Sequence, residues 1–373
     1  MKARLGDYIR EYSQRNKADE DIPVYSVTNS QGFCQGYFDK EVASKDKTTY
    51  KIVPWGCFAY NPSRINVGSV DWQRHEERVI VSPLYNVFSV LPGLNRQYLY
   101  YFLKSDVTLY YIRELATGSV RDNLKLAMLY EFEINLPSEQ QQKQIVQILD
   151  QVAAIKAARQ KQLEALDELV KARFIEMFGD INVNNKRWRS QPLGELCSIV
   201  RGGSPRPIEK YLGGTIPWIK IGDATKGDNV YIYGTKEHII PEGVNRSRLV
   251  KKGSLIFANC GVSLGFARII KFDGCIHDGW LALEDITPSL NKVFLLHAIN
   301  QMTSYFRKIA PAGTQPNLNT SIMKAHQQII PPLELQEKYI SFVKQVNKTE
   351  RMLNESLAET ETLFQSLMQE YFG

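Results

Sequence analysis

The 373 residues are 43% hydrophobic and 23% charged, with a net charge of +6, proportions that exclude a disordered or fibrous chain, and their number suits two domains better than one core. No apolar run reaches the roughly 18 residues of a membrane-spanning helix. The opening Met1-Lys2-Ala3-Arg4-Leu5-Gly6-Asp7 lacks the apolar stretch of a secretory signal, so no membrane is expected and the cytoplasm is the expected compartment.

In chain order, residues 1–137 alternate β-branched and aromatic runs (24–27, 79–81) with Gly, Pro and Asn turns, which predicts strands. Residues 95–114 open on an asparagine cap and are rich in Tyr and Leu, which predicts a helix. Residues 138–179 hold almost no Gly or Pro and predict one long helix. Strands follow at 218–221, 255–258 and 267–270, a second Asn-capped helix at 291–309, and a second long helix over 332–373. The five cysteines (Cys34, Cys57, Cys197, Cys260, Cys275) are scattered without a C-x-x-C pair and are read as reduced, mostly buried thiols.

The chain repeats itself at a spacing of roughly 190–195 residues. Leu5-Gly6-Asp7 returns as Leu193-Gly194-Glu195, Ile22-Pro23 as Ile216-Pro217, and Gly118-Ser119 with Asn123-Leu124 as Gly313-Thr314 with Asn317-Leu318. Leu136-Pro137-Ser138-Glu139-Gln140-Gln141 aligns with Pro331-Pro332-Leu333-Glu334-Leu335-Gln336, and Met177-Phe178-Gly179 with Tyr371-Phe372-Gly373. A common order across these pairs implies duplication. The domains are therefore drawn as a first globule, 1–137, a helix, 138–179, a second globule, 180–331, and a second helix, 332–373.

Within the helices, Leu149, Lys156, Leu163, Val170 and Met177 lie seven apart, as do Val343, Glu350, Leu357, Phe364 and Tyr371. Mostly apolar rows of this period make a coiled-coil seam, with polar breaks at Lys156, Arg159 and Glu350; two helices lying separately on their own globules is the plainer alternative. A 40-residue helix is about 60 Å long, and the dozen residues between Gly179 and Pro192 span at most about 45 Å. Parallel packing would need a full return, so antiparallel packing is expected. The predicted fold class is α+β: two tandem globular domains separated by two long helices in an antiparallel coiled coil, with approximate two-fold symmetry.

The charge surplus is local. Residues 181–331 carry 19 Lys+Arg against 10 Asp+Glu, while 1–137 carry 17 against 16 and both helical segments are slightly acidic. A basic globule beside acidic helices suits nucleic-acid contact. There is no phosphate loop, no G-x-G-x-x-G and no H-E-x-x-H. The histidines (His75, His238, His277, His297, His326) show no metal-ligand spacing. Asn61-Pro62-Ser63-Arg64 lacks the second proline and the aromatic residue of the adenine-methyltransferase loop.

Reading DNA takes cations for phosphates and planar amides or guanidinium groups for base edges. In the first globule the turn-rich Asn61-Pro62-Ser63-Arg64-Ile65-Asn66-Val67-Gly68-Ser69 offers Asn61, Ser63, Arg64 and Asn66; its counterpart, Asn259-Cys260-Gly261-Val262-Ser263, offers Asn259 and Ser263. The segments around Ser119 and Arg121, and around Thr314, Gln315 and Asn317, form a second pair. Arg201, Ser204 and Arg206 sit on the turn Arg201-Gly202-Gly203-Ser204-Pro205-Arg206-Pro207. Each loop also suits an ordinary solvated turn, and Asn123 and Asn317 equally suit the cap of a following helix.

The turn Gly202-Gly203-Ser204-Pro205 followed by Ile216-Pro217-Trp218-Ile219, Gly313-Thr314-Gln315-Pro316-Asn317-Leu318 and Pro331-Pro332-x-x-x-Gln336 resembles the specificity subunits of type I restriction–modification enzymes. The first half is similar through Leu5-Gly6, Ile22-Pro23, Asn61-Pro62-Ser63-Arg64, Gly118-Ser119 and Leu136-Pro137-x-x-x-Gln141, with Gln14-Arg15-Asn16-Lys17 where the second half has its glycine-proline turn. The resemblance covers essentially the whole chain. It implies a non-catalytic subunit in which each globule is a target-recognition domain reading one part of a split double-stranded DNA sequence. The helices would set the unread spacer and dock methyltransferase subunits, two of them, and through these a restriction/translocase subunit. S-adenosylmethionine, ATP and Mg2+ would belong to those partners, with no cofactor in this chain. A coiled-coil scaffold without specific DNA binding and a lone DNA-modifying enzyme are the competing readings. Salt-dependent affinity for duplex DNA discriminates against the first, and retention of S-adenosylmethionine would support the second.

Overall fold

The computed structural model describes residues 2–36, 46–115, 123–225, 227–261, 263–311 and 316–373. They divide into two compact units: unit 1 is Met1–Lys161 with Asn354–Gly373, and unit 2 is Gln162–Leu353. No described helix is long and apolar enough to cross a membrane. All five cysteines are free thiols, with Cys57, Cys197 and Cys275 buried.

Unit 1 is built on an antiparallel sheet in the order Ile9–Glu11, Asn86–Val90, Phe58–Tyr60, Val70–Trp72. Alternate strand residues point to one face, and there Phe58, Tyr60 and Phe88 meet Tyr98, Leu99 and Phe102 of the helix Arg96–Lys104. Leu149, Met368 and Phe372 from the two long helices complete the same core, so this globule and its helices share one apolar interior. Burying each such side chain contributes about 1.5–3 kcal/mol.

Unit 2 repeats the frame. Its larger sheet runs Ser198–Arg201, Trp280–Glu284, Leu255–Ala258, Ala267–Ile270, and adds Tyr231–Ile232 in parallel at the far edge. The first four strands match the four of unit 1 in order and in sense. A second sheet, Glu237–Ile239, Leu212–Ile219, Gly274–Ile276, Arg248–Val250, packs alongside. Phe174 and Phe178 from the first long helix and Tyr339 from the second enter the core of this unit against Phe294.

Two predicted helices are each divided. Asn95 caps Arg96–Lys104, accepting from the N–H groups of Gln97 and Tyr98, but extended backbone at Ser105 stops that helix, and Asp106–Leu115 starts afresh. The Ser105 hydroxyl donates to the Phe102 carbonyl at 2.8 Å, beside the Ser105 N–H, which donates to the same carbonyl at 3.1 Å, and so holds the break closed. In unit 2, Asn291 caps Lys292–Gln301, and Met302 separates it from Thr303–Ile309.

The long helices run Glu139–Phe178 and Leu333–Phe372. Within unit 1, Lys156 pairs with Glu361 and the Arg159 guanidinium donates to the Ser356 carbonyl at 2.7 Å; within unit 2, Phe174 meets Tyr339 and Arg173 lies over Phe342. Rising positions on one helix meet falling positions on the other, which is antiparallel packing. The polar breaks at Lys156 and Arg159 are thus seam contacts in their own right.

Each long helix starts at a buried glutamine. Gln142 Oε1 accepts the Asn95 N–H at 2.8 Å and its Nε2 donates to Gly93 and Pro137 carbonyls at 2.9 and 3.0 Å. Gln336 does the same with the Asn291 N–H at 2.8 Å and the Ser289 and Pro331 carbonyls at 3.0 and 2.8 Å. The repeat therefore aligns Gln336 with Gln142 and not with Gln141. The side chain of Gln141 instead accepts from the Ser138 N–H and hydroxyl as a capping box, a local motif that mimics the repeat in sequence.

Candidate nucleic-acid interface

In unit 1 the strand Phe58–Tyr60 delivers the loop that begins at Asn61. The Asn61 side-chain Oδ1 accepts from the Ser63 N–H at 3.1 Å and the Ser63 hydroxyl at 2.9 Å, an Asx turn that leaves Ser63 and Arg64 exposed. Ile65 then anchors the loop in the core while Asn66 stays half-buried. Gly68 closes it at φ +84°, a left-handed conformation in which a Cβ would meet the Asn29 side-chain oxygen at 2.8 Å. The base of the loop is tied across the fold: the Leu124 N–H donates to the Pro62 carbonyl and the Tyr60 hydroxyl donates to the Leu124 carbonyl, both at 3.1 Å. Ser119 and Arg121 lie outside the described residues.

In unit 2 the strand Leu255–Ala258 delivers Asn259 to the related position, but this asparagine is fully buried. Its Nδ2 donates to Asn317 Oδ1 at 3.0 Å and to the Leu318 carbonyl at 3.2 Å, and its own carbonyl accepts the Leu318 N–H at 2.8 Å. The Gly261 N–H donates to the Pro316 carbonyl at 3.1 Å. The two sequence-predicted loops of this unit are thus one surface, with Ser263 and Asn317 half-buried on it. Asn317 does not cap the next helix. Asn319 does, accepting from the Ile322 N–H at 2.9 Å. Thr314 and Gln315 lie outside the described residues.

The turn 201–207 joins this surface through Asp278, a residue that no motif in the sequence marks out. The Ser204 hydroxyl donates to Asp278 Oδ1 at 2.8 Å, Arg206 reaches Oδ2 at 3.4 Å, and Arg201 Nε donates to the Asp278 carbonyl at 3.0 Å. Burial opposes the charge of Asp278, but Ser204, His277, Arg206 and Arg201 outweigh it and hold the carboxyl below the usual range. The close approach depends on Gly202, where a Cβ would stand 2.2 Å from the His277 carbonyl oxygen. Next to Asp278, the Gly279 carbonyl accepts the Asn259 N–H at 2.9 Å. Arg201, Ser204 and Arg206 therefore neighbour Asn259 and Asn317 although more than 50 residues separate them from both, and the Arg206 side chain is 82% exposed. Exposed guanidinium groups beside rigid turns can bond phosphate oxygens or the O6/N7 edge of guanine.

A family model for the type I restriction modification DNA specificity domain matches residues 7–165 and again residues 185–362. The chain belongs to this family. It is 25% identical over 279 residues to the type I restriction enzyme MjaIX specificity subunit of Methanocaldococcus jannaschii, an alignment covering 68% of this chain and 62% of that protein. Among solved structures, one concerned with complex assembly and conformational transition of the type I R-M system contains a chain of similar fold (TM-score 0.63, 17% identity, 100% of this chain and 97% of that one). The type I restriction-modification system S subunit from M. genitalium is also similar (TM-score 0.55, 16% identity, 100% and 96%).

Each specificity domain thus places its candidate loop after the same central strand, against the residue that follows its glycine-containing segment: Leu124 in the first domain, Leu318 in the second. What differs is the side chain on the strand end. The first domain bonds Leu124 through the Tyr60 hydroxyl, and the second bonds Leu318 through the Asn259 amide.

Proposed function

We propose that this chain recognises a bipartite double-stranded DNA target for a type I restriction–modification complex, one part per specificity domain, and that the two 40-residue helices fix the unread spacer. Family membership in both halves supports it, and the observation that carries it is the repeated strand frame that ends in a polar loop in each unit. In this reading Ser63, Arg64 and Asn66, with Ser119 and Arg121, contact the first part of the target. Arg201, Ser204, Arg206, Ser263, Thr314, Gln315 and Asn317 contact the second; Asn61 and the buried Asn259 hold the loops in shape.

The chain's part is recognition and not chemistry. Methyltransferase subunits, two of them, dock on the helices and bring the restriction/translocase subunit, in the cytoplasm; S-adenosylmethionine, ATP and Mg2+ are bound by those partners. Mapping modified bases in DNA from cells with and without this chain tests the proposal. A two-part motif with a fixed spacer, dependent on the chain, is expected, and a single contiguous motif or no change in modification overturns it.

A further inference from the structure

In unit 1, among the described residues, the strands Ser26–Thr28 and Gly32–Cys34 pair only with each other, as a two-stranded antiparallel ribbon. Val27 and Phe33 anchor its body in a small core with Val53, Val79 and Val81. Its tip, Asn29-Ser30-Gln31, is exposed. The hydrogen bonds at the tip go to main-chain atoms: Lys104 Nζ donates to the Asn29 carbonyl at 2.9 Å, and the Gln31 N–H donates to the Thr28 hydroxyl at 3.1 Å. The amides of Asn29 and Gln31 are thereby left open to a ligand.

The ribbon is locked from beneath by Asp71, whose side chain is 4% exposed. Its carboxylate accepts from the Phe33 N–H at 3.2 Å, the Trp72 N–H at 2.8 Å and Arg74 Nη2 at 2.5 Å. A buried carboxylate costs stability unless such donors surround it. Gly32, at φ +61°, admits it, because a Cβ there would overlap Asp71 Oδ2. A glycine, a buried carboxylate and a lysine thus fix the shape of the turn. The tip also adjoins the loop 61–69 at its closing glycine, since a Cβ on Gly68 would stand 2.8 Å from Asn29 Oδ1. It therefore continues the polar surface that carries Ser63 and Arg64.

We propose that the tip of this ribbon enters the major groove of the first part of the DNA target, where Asn29 and Gln31 each read an adenine. The major groove admits a two-stranded ribbon, and the amide of Asn or Gln bonds the N6 and N7 edge of adenine in two places at once. Side chains carried on a fixed turn lose less freedom on binding than those of a mobile loop. This role rests on bipartite recognition by the chain and adds to it two specificity-determining residues outside the loops already assigned to DNA.

Modified-base mapping in cells carrying the wild-type chain, Asn29→Ala or Gln31→Ala tests it. Each variant is expected to accept any base pair at one A·T position in one part of the motif, with the other part and the spacer unchanged. Where a variant modifies too little DNA to yield a motif, anisotropy with the purified full chain decides, circular dichroism verifying its fold. Affinity for a labelled duplex of the wild-type motif should then fall at least tenfold, while affinity for an unrelated duplex stays the same. Failure of the wild-type chain to give a two-part motif would overturn bipartite recognition and this role with it. A two-part motif that either variant leaves unchanged, or an equal loss on specific and unrelated duplexes, would overturn this role alone.

Discussion

Gln142 holds Asn95 by its backbone: the buried amide oxygen accepts the Asn95 N–H at 2.8 Å while the same asparagine's side chain caps the helix Arg96–Lys104. The long helix and the globule's helix are thereby locked at their starts by one side chain. Gln142→Ala leaves that N–H and the carbonyls of Gly93 and Pro137, all partly buried, without the amide they share, at about 1–3 kcal/mol for an unsatisfied group. We expect a loss of about 3 kcal/mol in urea denaturation, against about 1 kcal/mol for Gln141→Ala, which removes only an exposed cap. Equal losses would show that Gln142 is no clasp.

The acid sensitivity of unit 2 is set by two histidines. Burial pushes His297 down to about 4, helped by Arg268, and burial pushes His326 down to about 4. Both are neutral in the fold but protonate near 6.5 when unfolded, so the unfolded state binds more protons between these values. Their contribution is fully present above pH 6.5 and is lost as pH falls towards 4, by about 1.4 kcal/mol per pH unit for each histidine. The double variant His297→Leu, His326→Phe should flatten the dependence of stability on pH between 6.5 and 4.5, measured by denaturant titration; an unchanged slope sinks the assignment. Phe132 already stands in unit 1 where His326 stands in unit 2.

Seam contacts differ sharply in value. Lys156 and Glu361 are 45% and 41% exposed, and such pairs contribute about 0–1 kcal/mol, so Lys156→Gln should barely move the melting temperature. Phe174 is fully buried, with Phe294 stacked at 5.7 Å and Tyr339 edge-on at 5.4 Å. Phe174→Ala should cost about 3–5 kcal/mol. Comparable effects in a thermal scan would contradict this account of the helices.

Arg206, held to Asp278 only at 3.4 Å and otherwise exposed, is free to turn to a phosphate. Removing one phosphate contact lowers the slope of log affinity against log salt by about 0.9. Arg206→Ala should therefore weaken binding to specific and nonspecific duplexes alike and flatten the salt dependence, read by anisotropy of a labelled duplex from 50 to 200 mM salt. An unchanged slope would remove Arg206 from the interface.

Local and periodic information is what the sequence determined by itself. Caps at Asn95 and Asn291, 40-residue helices free of interior Gly and Pro, seam rows seven apart and the duplicated motifs all rest on contacts within a few residues or on repetition, which a linear reading captures. Connector length even excluded parallel helices.

Tertiary structure decided what depends on contacts between distant residues. Gln142 and not Gln141 is the repeated glutamine because burial against Gly93 and Asn95 selects it. Asn259 is inside and Arg206 outside because strand ends are placed by the sheets they close, and Asp278 gathers Arg201, Ser204 and Arg206 from more than 70 residues away. Such hydrogen bonds exist only once the chain has been folded back on itself, so no pattern of neighbours along the sequence records them.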